Sequence, residues 1–256
     1  MELKRWTKDQ TKLAFYLYCQ MPFGRIHSRN AEVVQLAKFI GRTPSAVAMK
    51  MLNLASLDPS VTGSGRSGLG NASSLDRDVW DEFHHDWEKL ALECEKLKAQ
   101  GGLKDSFQDI EDGDFLGSNN FFGETKKVVT EVRIKQSFFR RAVMSSYGGR
   151  CWISGISDHR LLIASHIVPW SVDKLNRLNP CNGLCLSAIH DKAFDKGLLS
   201  LTDDYKVLLS DEIKKQDSDF YKHAFLAIEN KSIRIPEKFI PSISFISYHR
   251  ENIFLG

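Results

Sequence analysis

Three polar side chains stand where a chain could do chemistry: His166 at the end of an apolar segment, Asn182 just ahead of another, and His190 a few residues beyond it. A side chain with an ordinary pKa of about 6.5 can take up a proton near neutral pH or hold a metal ion, and a carboxamide both donates and accepts and so can pin a loop. Each residue alone has a commoner structural explanation. A histidine at a strand end is usually a satisfied surface or core residue, and Asn182-Gly183 is an ordinary turn signal.

The elements that must position these residues are legible. Residues 136–147, QSFFRRAVMSSY, have helical spacing with Phe139, Val143 and Tyr147 on one face, and Gly148-Gly149 ends the run. After CWISG and a turn around Ser157-Asp158, LLIASHIV (161–168) reads as a strand closed by Pro169-Trp170. A polar loop, SVDKLNRLNPCN, leads to a second strand, GLCLS (183–187). Ser187 is placed to cap a helix, AIHDKAFDK, that stops at Gly197. The order is strand, loop, strand, helix, with His166 near the first strand's end, Asn182 before the second strand and His190 in the helix.

In that order and with these flanks, ASHIVPW…NPCNGLCLSAIHDKAFDKGLL resembles the HNH endonucleases, in the subgroup with SHIxPW followed by NGL and HxxxFDxG. The likeness covers roughly residues 130–205. The stretches GRTPSAV…NLASLDP and YHRENIF resemble the flanks of bacterial restriction-type members. The resemblance implies a ββα-metal fold that hydrolyses DNA phosphodiesters with a divalent ion, Mg²⁺ or Mn²⁺. It implies His166 as general base, Asn182 as the residue that holds the loop and orients His166, and His190 as a metal ligand. The chemistry suits these types: an imidazole can take the proton of the attacking water, and a cation relieves charge on phosphate and leaving group.

The pattern is departed from in two places. Ser165 stands where many relatives place a ligand before the base, and Phe194 stands one turn after His190. On an ideal helix Asp191 lies about 100° and Asp195 about 140° around from His190, so Asp195 joins a metal site there only if the helix loosens or a water intervenes. Relatives also hold a structural zinc with two C-x-x-C pairs. Here Cys151 is followed by Ser154 and Cys185 by Ala188, so no structural zinc is expected, and Cys151, Cys181 and Cys185 read as small buried residues. Of the arginines near the unit, Arg177 in the loop between the strands is the best placed for DNA. Ser165 and Phe194 also motivate a second reading, a DNA-binding protein with a disabled nuclease domain; a nuclease acting on RNA or on modified DNA is a third.

Ahead of this unit, residues 1–60 carry nine Lys/Arg against four Asp/Glu. Helix-spaced AEVVQLAKFI (31–40), then Gly41, Thr43 as N-cap and Pro44 opening PSAVAMKMLNLAS, make a helix-turn-helix-like layout with Arg42, Ser45 and Lys50 as candidate DNA contacts. Residues 78–98 read as one helix. Gly101-Gly102 and an acidic stretch follow, with one lysine against six acids over 101–125. The expected fold class is therefore α+β: a helical DNA-binding domain over 1–100, an acidic linker over 101–128, and the nuclease domain with a C-terminal extension over 129–256. Composition, 42% hydrophobic and 26% charged, is that of a soluble globular protein. No apolar run approaches the roughly 20 residues of a membrane span. A charged N-terminus and five cysteines without C-x-x-C spacing suit the cytoplasm. DNA is the expected partner, with a homodimer and a cognate methyltransferase as further expectations.

Overall fold

The computed structural model describes residues 5–63, 69–103 and 124–256. They divide into two compact units: one holds the N-terminal helices through Phe138, and the other holds 20–23 together with 139–256.

The first unit is helical. Its helices are α1 (Lys8–Cys19), α2 (Ala31–Ile40), α3 (Pro44–Ala55), the short α4 (Pro59–Gly63), α5 (Ser74–Phe83), α6 (Trp87–Gln100) and the first part of α7 (Glu124–Ser146). The turn between α2 and α3 is built by the residues that announced it. Gly41 takes the left-handed conformation (φ 66°) that ends α2, and the Thr43 hydroxyl accepts the Ala46 N–H while Pro44 opens α3. The expected single helix over 78–98 is two helices, because the Asp86 carboxylate caps the Lys89 N–H and starts a new helix at Trp87. Phe15 packs against Trp80 and Trp87, with ring centroids 5.1 and 5.9 Å away. Lys50 is sealed in this unit, paired with the buried Asp76 carboxylate that also completes the Ser73 capping box.

The second unit carries the α/β elements. Strands β1 (Leu162–His166) and β2 (Gly183–Ser187) pair antiparallel, with His166 opposite Gly183 and Ser165 opposite Leu184. Helix α8 (Ala188–Asp195) follows β2 directly and packs on the pair. A second hairpin, β3 (Leu199–Leu201) and β4 (Val207–Leu209), comes next, then α9 (Asp211–Lys214), α10 (Asp219–Ala224) and α11 (Ile243–Asn252). Gly183 is required by close approach: a Cβ there would collide with Val143 and Phe139 of α7. The core gathers Phe139, Val143, Trp152, Leu162, Leu184, Phe194 and Ile246. His249 of α11 stacks on Phe194 at 3.6 Å and bonds the Ser200 hydroxyl and the Phe194 carbonyl, so YHRENIF packs the C-terminus onto α8 and β3. Much of the expected acidic linker lies outside the described residues. The division between units falls inside α7, and that helix begins at Glu124, well before residue 136.

Candidate active site

His166 ends β1 with its ring fixed on three sides. It stacks on Phe139 (3.8 Å between centroids, 9° between planes), meets the edge of Trp170, and lies 2.9 Å from the Arg177 carbonyl through Nε2. A carbonyl only accepts, so Nε2 carries the hydrogen and the neutral ring keeps its lone pair on Nδ1. Burial disfavours the charged ring more than the carbonyl favours it, so the pKa of His166 falls below its ordinary value and the base form predominates at neutral pH.

Asn182 is fully buried and spans the loop. Its Oδ1 accepts from the Val168 N–H at 2.8 Å, and its Nδ2 donates to the carbonyls of Val168 and Asn176, both at 3.2 Å. Asn176 neighbours Arg177, so the amide that closes the loop also fixes the carbonyl that orients His166.

His190 is placed differently from expectation. It is buried; its Nε2 donates to the Ala224 carbonyl at 3.0 Å, and its Nδ1 meets the Ser187 hydroxyl at 2.9 Å and the Cys151 sulfur at 3.8 Å. Both nitrogens thus meet partners within the fold. Ser187 therefore does not cap α8 with its side chain. Burial opposes charge on His190, but Cys151 and the Ala224 carbonyl outweigh it and raise the pKa. Burial would likewise push the Cys151 thiol up; His190, Ser154 and the Ile153 backbone reverse this and bring it to about 6. Cys151 is thus a polar partner rather than a filler. Cys185 behaves as expected of a buried thiol, pushed up to about 12.

Asp191 and Asp195 are four residues apart on α8 and so share one face, about 40° apart. Desolvation raises both pKa values. That of Asp191 reaches about 6, with the Ser165 hydroxyl pulling down and the charge of Asp195 pushing up. Asp195 itself is exposed, so its desolvation reflects its neighbours more than true enclosure. Ser165 is 3% exposed and looks toward Asp191, close enough to lower its pKa, yet its Oγ makes no hydrogen bond of normal geometry. A buried oxygen without a full partner beside the Asp191 carboxyl is oxygen-donor chemistry of the kind that suits a hard divalent cation. Among the described residues no three His, Cys, Asp or Glu side chains form a group that could hold a metal ion. Measured by angle from His190, Asp191 and Asp195 stood apart; the D-x-x-x-D spacing of α8 pairs them with each other.

The other candidates are scattered. Arg177 stays in the loop, its Nε donating to the Trp170 carbonyl at 2.7 Å and its guanidinium over the Trp170 ring. Ser45 is exposed on α3, Arg42 bonds Gln10 and lies over Trp6, and Lys50 is inside the first unit. Lys50 is thus unfit for DNA contact, because releasing it would strand the buried Asp76 charge.

Residues 151–202 match the family described as HNH endonuclease. That stretch lies within the second unit and contains His166, Asn182, His190, Asp191 and Asp195. Among solved structures, a modification-dependent TagI restriction endonuclease aligns with 45% of this chain at 23% identity and a TM-score of 0.32. The aligned part is 37% of that protein's length. No curated protein matches the sequence. Among the described residues no helix is long and apolar enough to cross a membrane.

Proposed function

We propose that this protein is a divalent-metal-dependent endonuclease that hydrolyses DNA phosphodiesters, in restriction or defence against foreign DNA. The observation that carries the reading is the state of His166: a rigid, neutral ring whose Nε2–H is committed to Arg177, leaving Nδ1 to take a proton. His166 accepts the proton of the attacking water while Asn182 holds the loop that orients it. Asp191, Asp195 and the Ser165 hydroxyl would hold the cation. When bound, it neutralises charge developing on the phosphate and the leaving oxygen. His190 serves the fold, tying α8 to Ser187, Cys151 and the chain at Ala224.

Restriction is supported by the likeness of the N- and C-terminal flanks to restriction-type HNH proteins. The cytoplasm is supported by five cysteines that are all free thiols. A homodimer would give one catalytic unit per strand, and a cognate methyltransferase would protect the host. The disabled-nuclease reading loses half its motive, because Phe194 does not leave the helix without a second ligand once Asp191 and Asp195 are read as the pair.

The test is conversion of supercoiled plasmid, methylated and unmethylated, with Mg²⁺, Mn²⁺ or EDTA, beside an RNA of equal length. Nicks or linear DNA that require the metal are expected. Retardation of DNA without cutting under every condition would establish the disabled reading instead.

A further inference from the structure

The loop between His166 and Asn182 is braced so that its tip cannot wander. The Asp173 carboxylate accepts from the N–H groups of Leu175 (3.0 Å) and Asn176 (3.1 Å) and from the Asn176 amide (2.7 Å). Asn179 donates to the Asn176 side chain at 2.9 Å, and Asn182 donates to its carbonyl. On this frame stands Leu175, 89% exposed, the highest value of any large hydrophobic residue among those described; Val172 beside it is 52% exposed. Lone apolar side chains at a surface are common and need no purpose. This one differs in its position. Arg177, whose carbonyl is 2.9 Å from the His166 ring, is two residues from Leu175, so their Cα atoms are at most about 7.6 Å apart.

The His166 ring is held by this loop through Arg177, so a phosphodiester at His166 would lie within a few nucleotide steps of the loop tip, DNA stepping only about 3.4 Å per nucleotide along a strand. We propose that Leu175 enters the minor groove of the DNA substrate and packs against a base step within a few nucleotides of the scissile phosphate, while Lys174 and Arg177 meet phosphates on either side. The proposal rests on the nuclease reading above. An apolar wedge on a rigid support is suited to a base step because it needs no hydrogen-bond partner, and the single acid of the tip, Asp173, is consumed within the loop. The leucine contributes contact area without releasing counterions, whereas its cationic neighbours act through charge.

The experiment compares full-length His166→Ala protein with the same chain also carrying Leu175→Ala, Leu175→Met or Lys174→Ala, titrated against a plasmid-derived duplex over a range of salt. Leu175→Ala should weaken binding about tenfold at every salt concentration and leave the slope of log affinity against log salt unchanged. Lys174→Ala should make that slope shallower by about one unit. Leu175→Met should restore affinity. On a wild-type background Leu175→Ala should slow plasmid cleavage by a similar factor. Unchanged binding and cleavage in Leu175→Ala, with wild-type protein cutting, would overturn the wedge and leave the nuclease standing. So would a loss that tracks a change in oligomeric state by sedimentation, which would assign the leucine to a protein contact. Failure of the wild type to bind or cut any DNA would overturn both.

Discussion

Within one turn of α8 two neighbouring side chains have different surroundings. His190 uses both ring nitrogens inside the fold, while Asp191 keeps a half-buried carboxyl whose pKa is raised to about 6 beside the Ser165 hydroxyl. The two should therefore fail differently. Asp191→Asn should cut cleavage roughly a hundredfold or more, in line with losing several kcal/mol of metal-derived stabilisation, and leave the melting temperature close to wild type. His190→Ala should lower the melting temperature, because the Ser187 hydroxyl and Ala224 carbonyl lose their partner in the interior at about 1–3 kcal/mol each. Paired melting and single-turnover assays on both variants decide this. A stable but inactive His190→Ala would return the metal to His190.

At the level of elements, two buried polar contacts hold helices in place. Lys50 of α3 and Asp76 of α5 are almost wholly enclosed, and removing one partner leaves an uncompensated charge. Lys50→Ala should cost about 3–5 kcal/mol in denaturant unfolding, whereas Lys50→Met, filling the same space with Asp76→Leu, should recover most of it. Neither should alter the salt dependence of DNA binding. In α11, burial pushes His249 down to about 4, outweighing the Phe194 carbonyl. The folded state thus keeps a neutral ring that the unfolded chain would protonate near 6.5. Stability is full above that value and is lost as the pH falls toward 4, by about 3 kcal/mol from this residue. An imidazole resonance for His249 that stays neutral to near pH 4 is the expected NMR signature; titration near 6.5 would contradict it.

Across the whole molecule, local rules were readable and spatial ones were not. Gly41, Thr43 and Pro44 built the turn they announced because capping is settled within four residues. The β1, β2 and α8 series was equally plain. The Asp86 cap was hidden in a run of apolar residues that kept helical spacing across the break. Lys50 looked like a surface cation because its partner lies 26 residues away, and nothing local marks Asp76 as buried. The contacts of His190 with Cys151 and Ala224 were hidden because both come from distant parts of the chain. The short hairpin β3–β4 has three residues per strand, too few for alternation to show.

His166 is proposed to remove a proton from water to cleave DNA. The most direct test is plasmid cleavage by wild type and His166→Ala side by side, in Mg²⁺ and in EDTA, with equal DNA binding verified for both. Metal-dependent cutting that falls by about 10²–10⁴ in the variant is the predicted result. Cutting that survives the substitution, or that proceeds equally in EDTA, would contradict the account.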